Sequence, residues 1–139
     1  MGTKFTIYGF FNEDGSATLE AREVIRDGTG TTVAGEGNCA KQADLSSITL
    51  KVFDISIDPP TEILSATLTI SSVIFDSLQT DATWVPVVDS TGYNFRYIVP
   101  TTAFPTGDHK YRVEVKFTTT GGYVWTDRYE GGAVGVFTS

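Results

Sequence analysis

His109 is the only histidine of the chain and Cys39 the only cysteine, so the side chains best suited to nucleophilic, redox or metal chemistry occur once each. A single imidazole removes every His-His metal arrangement and any proton relay through two imidazoles, and alone it makes no zinc site. As a catalytic base His109 would need a nucleophile and an orienting carboxylate, but its place between a turn and a charged strand face predicts a solvated side chain. Cys39 carries no local signature of a nucleophile that would join it to His109 in a thiol dyad. Asn12-Glu13-Asp14-Gly15 invites a calcium-loop reading. Aligning Gly15 with the sharp-turn glycine of an EF-hand puts Phe10 at the first ligand position and Ala21 where a bidentate glutamate belongs, so that reading fails. Loop carboxylates such as Asp14, Asp44 and Asp89 can gather around a hard cation, although acidic turn residues more often just terminate strands. Gly35-Glu36-Gly37-Asn38-Cys39-Ala40 meets a loose dinucleotide-loop spacing, yet no helix pattern follows to offer its N-terminus to a phosphate. Carboxylates are plentiful, but nothing marks two of them as a glycosidase pair. The expectation is a protein that is not an enzyme and that uses no cofactor and no metal.

Composition narrows the classes further. The 139 residues suit one domain with one core, and nine Phe, six Tyr and two Trp supply large packing area. Lys and Arg total 10 against 17 Asp and Glu, a formal net charge of -7, and no window concentrates the basic residues. Phosphate neutralisation is disfavoured, so nucleic acid is not an expected partner. One cysteine excludes an intramolecular disulfide framework. The start of the chain lacks an apolar run of signal-peptide length, and no segment reaches the length needed to span a bilayer. These features predict a chain made in the cytoplasm, with no membrane partner.

The elements that must position any site read as strands. In residues 104–117, Tyr111, Val113, Val115 and Phe117 share one face while Lys110, Arg112, Glu114 and Lys116 share the other, the period-two signature of a half-buried strand. Pro105-Thr106-Gly107-Asp108 turns directly into it, so the Tyr111 phenol can pack inward while its hydroxyl bonds back to the turn, as in a tyrosine corner. Phe5 and Ile7 mark a first strand, and residues 17–26 read as a second that closes at Asp27-Gly28. Residues 27–47 are the longest irregular connection. Ile48, Leu50 and Val52 then share a face, but Phe53, Ile55 and Ile57 continue one residue out of phase, which predicts a β-bulge near Val52-Phe53. Pro59 and Pro60 end that strand. Leu64, Ala66, Leu68 and Ile70 are in register, whereas Val73 and Phe75 are not, a second slip of the same kind. Tyr93, Phe95, Tyr97 and Val99 form another strand, and Tyr123, Trp125, Asp127 and Tyr129 alternate in the last, joined to its predecessor through Gly121-Gly122. Gly131-Gly132 is read as a break before an apolar tail.

The pattern apolar-Pro-x-x-x-x-x-Tyr-x-Val-x-Val over residues 104–115 is similar to the late-strand region of fibronectin type III and related immunoglobulin-like sandwiches, without the Cys…Trp…Cys pattern of antibody domains. More broadly, residues 48–130, including Asp89-Ser90-Thr91-Gly92-Tyr93-Asn94-Phe95, resemble the small immunoglobulin-like proteins and domains of tailed-bacteriophage particles. The resemblance implies an all-β chain, a single immunoglobulin-like sandwich of seven or eight mainly antiparallel strands over residues 1–139, with 131–139 as an edge strand or interaction tail. It further implies a structural protein of the virion, a capsid decoration or tail and baseplate component, whose partners are other virion proteins or copies of itself. Val134, Val136 and Phe137 are the expected interface, because an apolar tail beyond a glycine break needs cover. The alternative is a carbohydrate-binding or adhesive module that stacks glycans on Trp84, Tyr123, Trp125 and Tyr129.

Overall fold

Alternating side chains on one long strand organise the core. Tyr111, Val113, Val115 and Phe117 are fully buried. The computed structural model describes residues 3–12, 15–25, 39–82, 84, 88 and 90–134, with backbone alone for 3–12 and 134. Its strands are β1 (Thr3–Asn12), β2 (Ala17–Ala21), β3 (Leu45–Asp54), β4 (Thr61–Thr67), β5 (Ile74–Gln79), β6 (Tyr93–Val99), β7 (Lys110–Thr119) and β8 (Val124–Val134), with a single turn of α-helix, α1 (Ile70–Val73), and 3-10 turns at Gln42–Asp44 and Thr101–Ala103 among the described residues. They form a five-stranded sheet in the order β1-β8-β7-β3-β4 and a three-stranded sheet in the order β2-β6-β5. Every pairing is antiparallel except β1 with β8, which is parallel. The chain is a single immunoglobulin-like β-sandwich. Ile48, Leu50 and Val52 of β3 and the buried row of β7 form one core with Leu19, Ile74, Phe95 and Val99 of the other sheet. The Phe95 and Phe117 rings meet edge-on across that core at 5.3 Å.

The turn before β7 is a tyrosine corner. Thr106 donates its N–H to the Tyr111 hydroxyl at 2.9 Å, and the hydroxyl donates to the Thr106 carbonyl at 3.2 Å. Phe104 packs edge-on against the same ring. Asp108 takes a φ of 65°, a left-handed position that aspartate tolerates, and its N–H reaches the Ala133 carbonyl at 2.7 Å. The β6 end of the sandwich has its own backbone requirement. Gly92 sits at φ 110°, where a Cβ would come within 2.5 Å of the Gln79 carbonyl oxygen.

Several strand expectations change. The register slips at Val52/Phe53 in the β3–β4 ladder, but the extra residue is Ile63 on β4, because Val52 faces Leu64 while Phe53 faces Glu62. Strand β3 keeps its phase: Asp54 follows Val52 into the interior, and Phe53 turns outward beneath the Arg112 guanidinium, 5.6 Å from its ring centre. The slip after Leu68 is not a bulge. It is α1, the helical turn that carries the chain from β4 to β5 and so from one sheet to the other. Strand β2 ends at Ala21 rather than running to residue 26, and most of the 27–47 connection lies outside the described residues. The double glycine does not break β8. Gly131 and Gly132 pair with Tyr111 and Lys110 on one side and with Gly9 and Phe10 on the other, so this strand is interior to its sheet. Two ladders hold glycine extended even though its own conformational preference is weak.

Because the corner adds hydrogen bonds to a large buried ring, two substitutions separate its parts. Tyr111→Ala is expected to lower unfolding free energy by about 3–4 kcal/mol. Tyr111→Phe, which keeps the ring and loses only the hydroxyl, should lose about 1 kcal/mol. Urea unfolding checks both, and equal losses would show that the hydroxyl, not the packing, carries the site.

Candidate functional site

Strand β6 lies in the middle of its sheet, but only one of its sides is fully paired. Along β2, Ala17–Ala21 match Val99 through Phe95 without a gap. Along β5 the ladder holds only Phe95 with Ile74 and Tyr93 with Gln79, because the chain before Ile74 is wound into α1. Among the described residues, 96–99 therefore have no strand neighbour on that side. Alternate residues of an antiparallel strand direct both N–H and C=O away from the paired neighbour, so this stretch presents main-chain donors and acceptors outward. A groove of about 510 Å³ opens beside it, between β6, α1 and the end of β4. Leu68, Val73, Phe75, Tyr97 and Ile98 give it an apolar lining, with Ile98 51% exposed. Arg96 is its only charged side chain. The buried Arg96 Nε forms an ion pair with Glu20 Oε2 of β2 at 3.6 Å, without a hydrogen bond among the described residues. The arrangement can hold an extended chain.

A second cluster surrounds His109. Its Nδ1 lies 2.6 Å from Asp54 Oδ2, and the other Asp54 oxygen accepts the Ser56 N–H at 3.0 Å. The Ser56 hydroxyl accepts the Lys110 N–H at 2.8 Å. The imidazole is half-buried, not freely solvated as its sequence position suggests, and it has the orienting carboxylate that the sequence reading did not assign. The available signal was the inward row Ile48, Leu50, Val52, which places Asp54 next in the interior and so requires a partner for it. These bonds tie the turn after β3 to the start of β7. They form a brace rather than a nucleophile–base pair.

The remaining candidates are dispersed. Trp84 is buried against Tyr93. Trp125 stacks on Phe117 with ring centres 5.0 Å apart, Tyr129 is buried, and Tyr123 is half-buried beside Trp125. The proposed sugar-stacking set is thus mostly core, since β8 turns Trp125, Asp127 and Tyr129 inward. Val134 pairs its backbone with Asn12 at the end of β8, whereas Val136 and Phe137 lie outside the described residues. Cys39 is half-buried, in no disulfide, and bridges to Val24 through the backbone. Asp44 caps its own turn by accepting the Lys41 N–H at 3.0 Å, while Asp14 and Asp89 lie outside the described residues. Among the described residues no three of His, Cys, Asp and Glu come together as a metal-binding group.

No family model, curated protein or solved structure matches this chain. Nor, among the described residues, is any helix long and apolar enough to cross a membrane.

Sequence reading missed the fully buried Glu23, whose Oε1 accepts the Trp125 indole N–H at 2.9 Å. Asn94, also buried, accepts the Glu23 N–H at 2.6 Å and donates to the Glu23 and Ala40 carbonyls. Together with Asp127 these groups set the environment of Tyr129. Burial first, and then the charges of Glu23 and Asp127, push the Tyr129 phenol far above its ordinary value. The hydroxyl has no hydrogen-bond partner among the described residues. A phenol held neutral by the fold, yet able to ionise when unfolded, favours the unfolded chain once pH exceeds about 10. Its effect is absent below that pH and destabilising above it. Between about pH 10 and about pH 11.5 the unmodified protein should lose about 2 kcal/mol more stability than Tyr129→Phe, as measured by urea unfolding. Parallel pH curves for the two proteins would mean that the hydroxyl ionises in place.

Proposed function

We propose that this chain is a non-enzymatic structural protein of a tailed-virus particle, a capsid decoration or tail and baseplate component that works through protein–protein assembly. One observation carries the reading: among the described residues, 96–99 of β6 have no strand neighbour on the β5 side, where an apolar groove opens between them, α1 and the end of β4. Main-chain edges bind other main chains, and solitary domains normally blunt them. The opposite sheet shows such blunting, since β4 carries the Ile63 bulge, follows Pro59 and Pro60, and exposes Glu62 paired with Lys51 at 3.3 Å. The immunoglobulin-like frame and the resemblance of residues 48–130 to phage domains supply the particle setting. Support from the C-terminal segment is weaker than the sequence suggested, because residues 131–134 are already paired on both sides.

The carbohydrate-binding alternative requires ring faces open to solvent, and Trp84, Trp125 and Tyr129 direct theirs into the core. Antibody detection of the chain in density-gradient fractions of particles from the source culture tests the proposal. The chain should co-sediment with intact particles in fixed proportion to a major structural protein. Its absence from them, together with binding on a glycan array, would replace assembly with the adhesive reading. His109→Ala and Cys39→Ala should incorporate like the unmodified chain, because neither side chain belongs to the open edge.

A further inference from the structure

We infer that the β6 groove receives an extended segment of another protein by strand addition, and that this segment alternates apolar residues with at least one aspartate or glutamate. The inference rests on the assembly reading and names the chemistry of its partner. Three features select that occupant. First, the open side of residues 96–99 offers backbone donors and acceptors along a strand axis, and only another extended main chain satisfies them as a row. A helix meets its own backbone groups internally and would leave this row unmet.

Second, the two faces of an added strand would meet different surroundings. Val99 is buried and Tyr97 packs against the core, whereas Ile98 is exposed, so by alternation Arg96 belongs with Ile98 to the outward row. Side chains of the incoming strand that turn inward would rest on Leu68, Val73, Phe75 and Tyr97, an apolar floor in which β-branched or aromatic residues fit. Those that turn outward would lie beside Ile98 and Arg96.

Third, the charge is specific. In a chain of formal net charge -7 this groove has one charged side chain, and it is a cation. The buried Arg96 Nε forms an ion pair with Glu20 Oε2 of β2 at 3.6 Å and has no hydrogen bond among the described residues, while 41% of the Arg96 side chain stays exposed. A carboxylate on the added strand would meet the exposed part of the Arg96 guanidinium, in a charge-assisted bond stronger than a neutral one. A second copy of this chain meets the condition poorly. Two β6 edges paired antiparallel about a two-fold axis between Tyr97 and Ile98 would set Arg96 opposite Val99, with no acid in the pair.

Selection from a random nonapeptide mRNA-display library against the immobilised full-length protein provides the test, with an unrelated immunoglobulin-like sandwich as control. Enriched peptides should alternate apolar residues and carry Asp or Glu. Their binding should slow amide exchange of the unmodified protein at residues 96–99, a readout that needs no substitution. Affinity should fall at least tenfold in Ile98→Lys. Arg96→Glu should weaken acidic peptides to a similar degree and restore binding to the same peptides with Lys in place of the acid. Thermal unfolding of each variant verifies its fold. Enrichment no greater than on the control, unchanged affinity in a folded Ile98→Lys, or exchange protection elsewhere would each overturn the inference. Strand binding by a chain absent from particles would keep the groove and remove the virion setting, while a particle-borne chain whose groove binds no strand would do the reverse.

Discussion

The hydroxyl of Tyr111, bonded to both the N–H and the carbonyl of Thr106, fixes how β7 enters its sheet. Every later register depends on that entry, since a one-residue slip in a strand exchanges its buried and exposed faces. With Tyr111 inward, Val113, Val115 and Phe117 must follow, and β3 and β8 take their places on either side. The same registration puts Lys110 next to the turn after β3, where its N–H meets Ser56 and its carbonyl accepts the Ile55 N–H. One corner therefore sets both the hydrophobic layer and the polar brace at its end.

The architecture was largely legible because its determinants are local. The alternation of β6, β7 and β8 can be counted in sequence, and the Pro105–Asp108 turn announces its tyrosine corner. What failed were inferences that depend on a neighbour. The bulge expected near Val52-Phe53 is present there, but its extra residue lies on β4 rather than β3, and Phe53 faces outward because Arg112 across the ladder covers its ring. Gly131 and Gly132 read as a break because intrinsic preference is all that sequence displays, whereas two flanking strands override it. The groove was invisible for the same reason. Arg96 and Ile98 are ordinary outward residues of a strand until one knows that β5 stops short and α1 stands in its line.

The polar interior qualifies the usual picture of a β-sandwich core. Glu23, Asn94 and Asp127 are buried with the aromatic layer, and Glu23 anchors the Trp125 indole from a segment that is no longer regular strand. Such groups are costly to bury and favourable only in defined geometry, so they restrict the number of ways in which the two sheets can pack. Asn94 illustrates this by bonding at once to Glu23 and Ala40, which lie near the two ends of the connection between β2 and β3. It fastens the two ends of that connection to β6.

Parallel pairing of β1 with β8 joins segments roughly 120 residues apart. Strand β1 therefore cannot pair until β8 has been made. Until β8 has been synthesised, the larger sheet is missing an interior member, and both β1 and the outer side of β7 remain unpaired. The order of synthesis thus makes closure of this sheet a late event, possible only after β2 to β7 have been made.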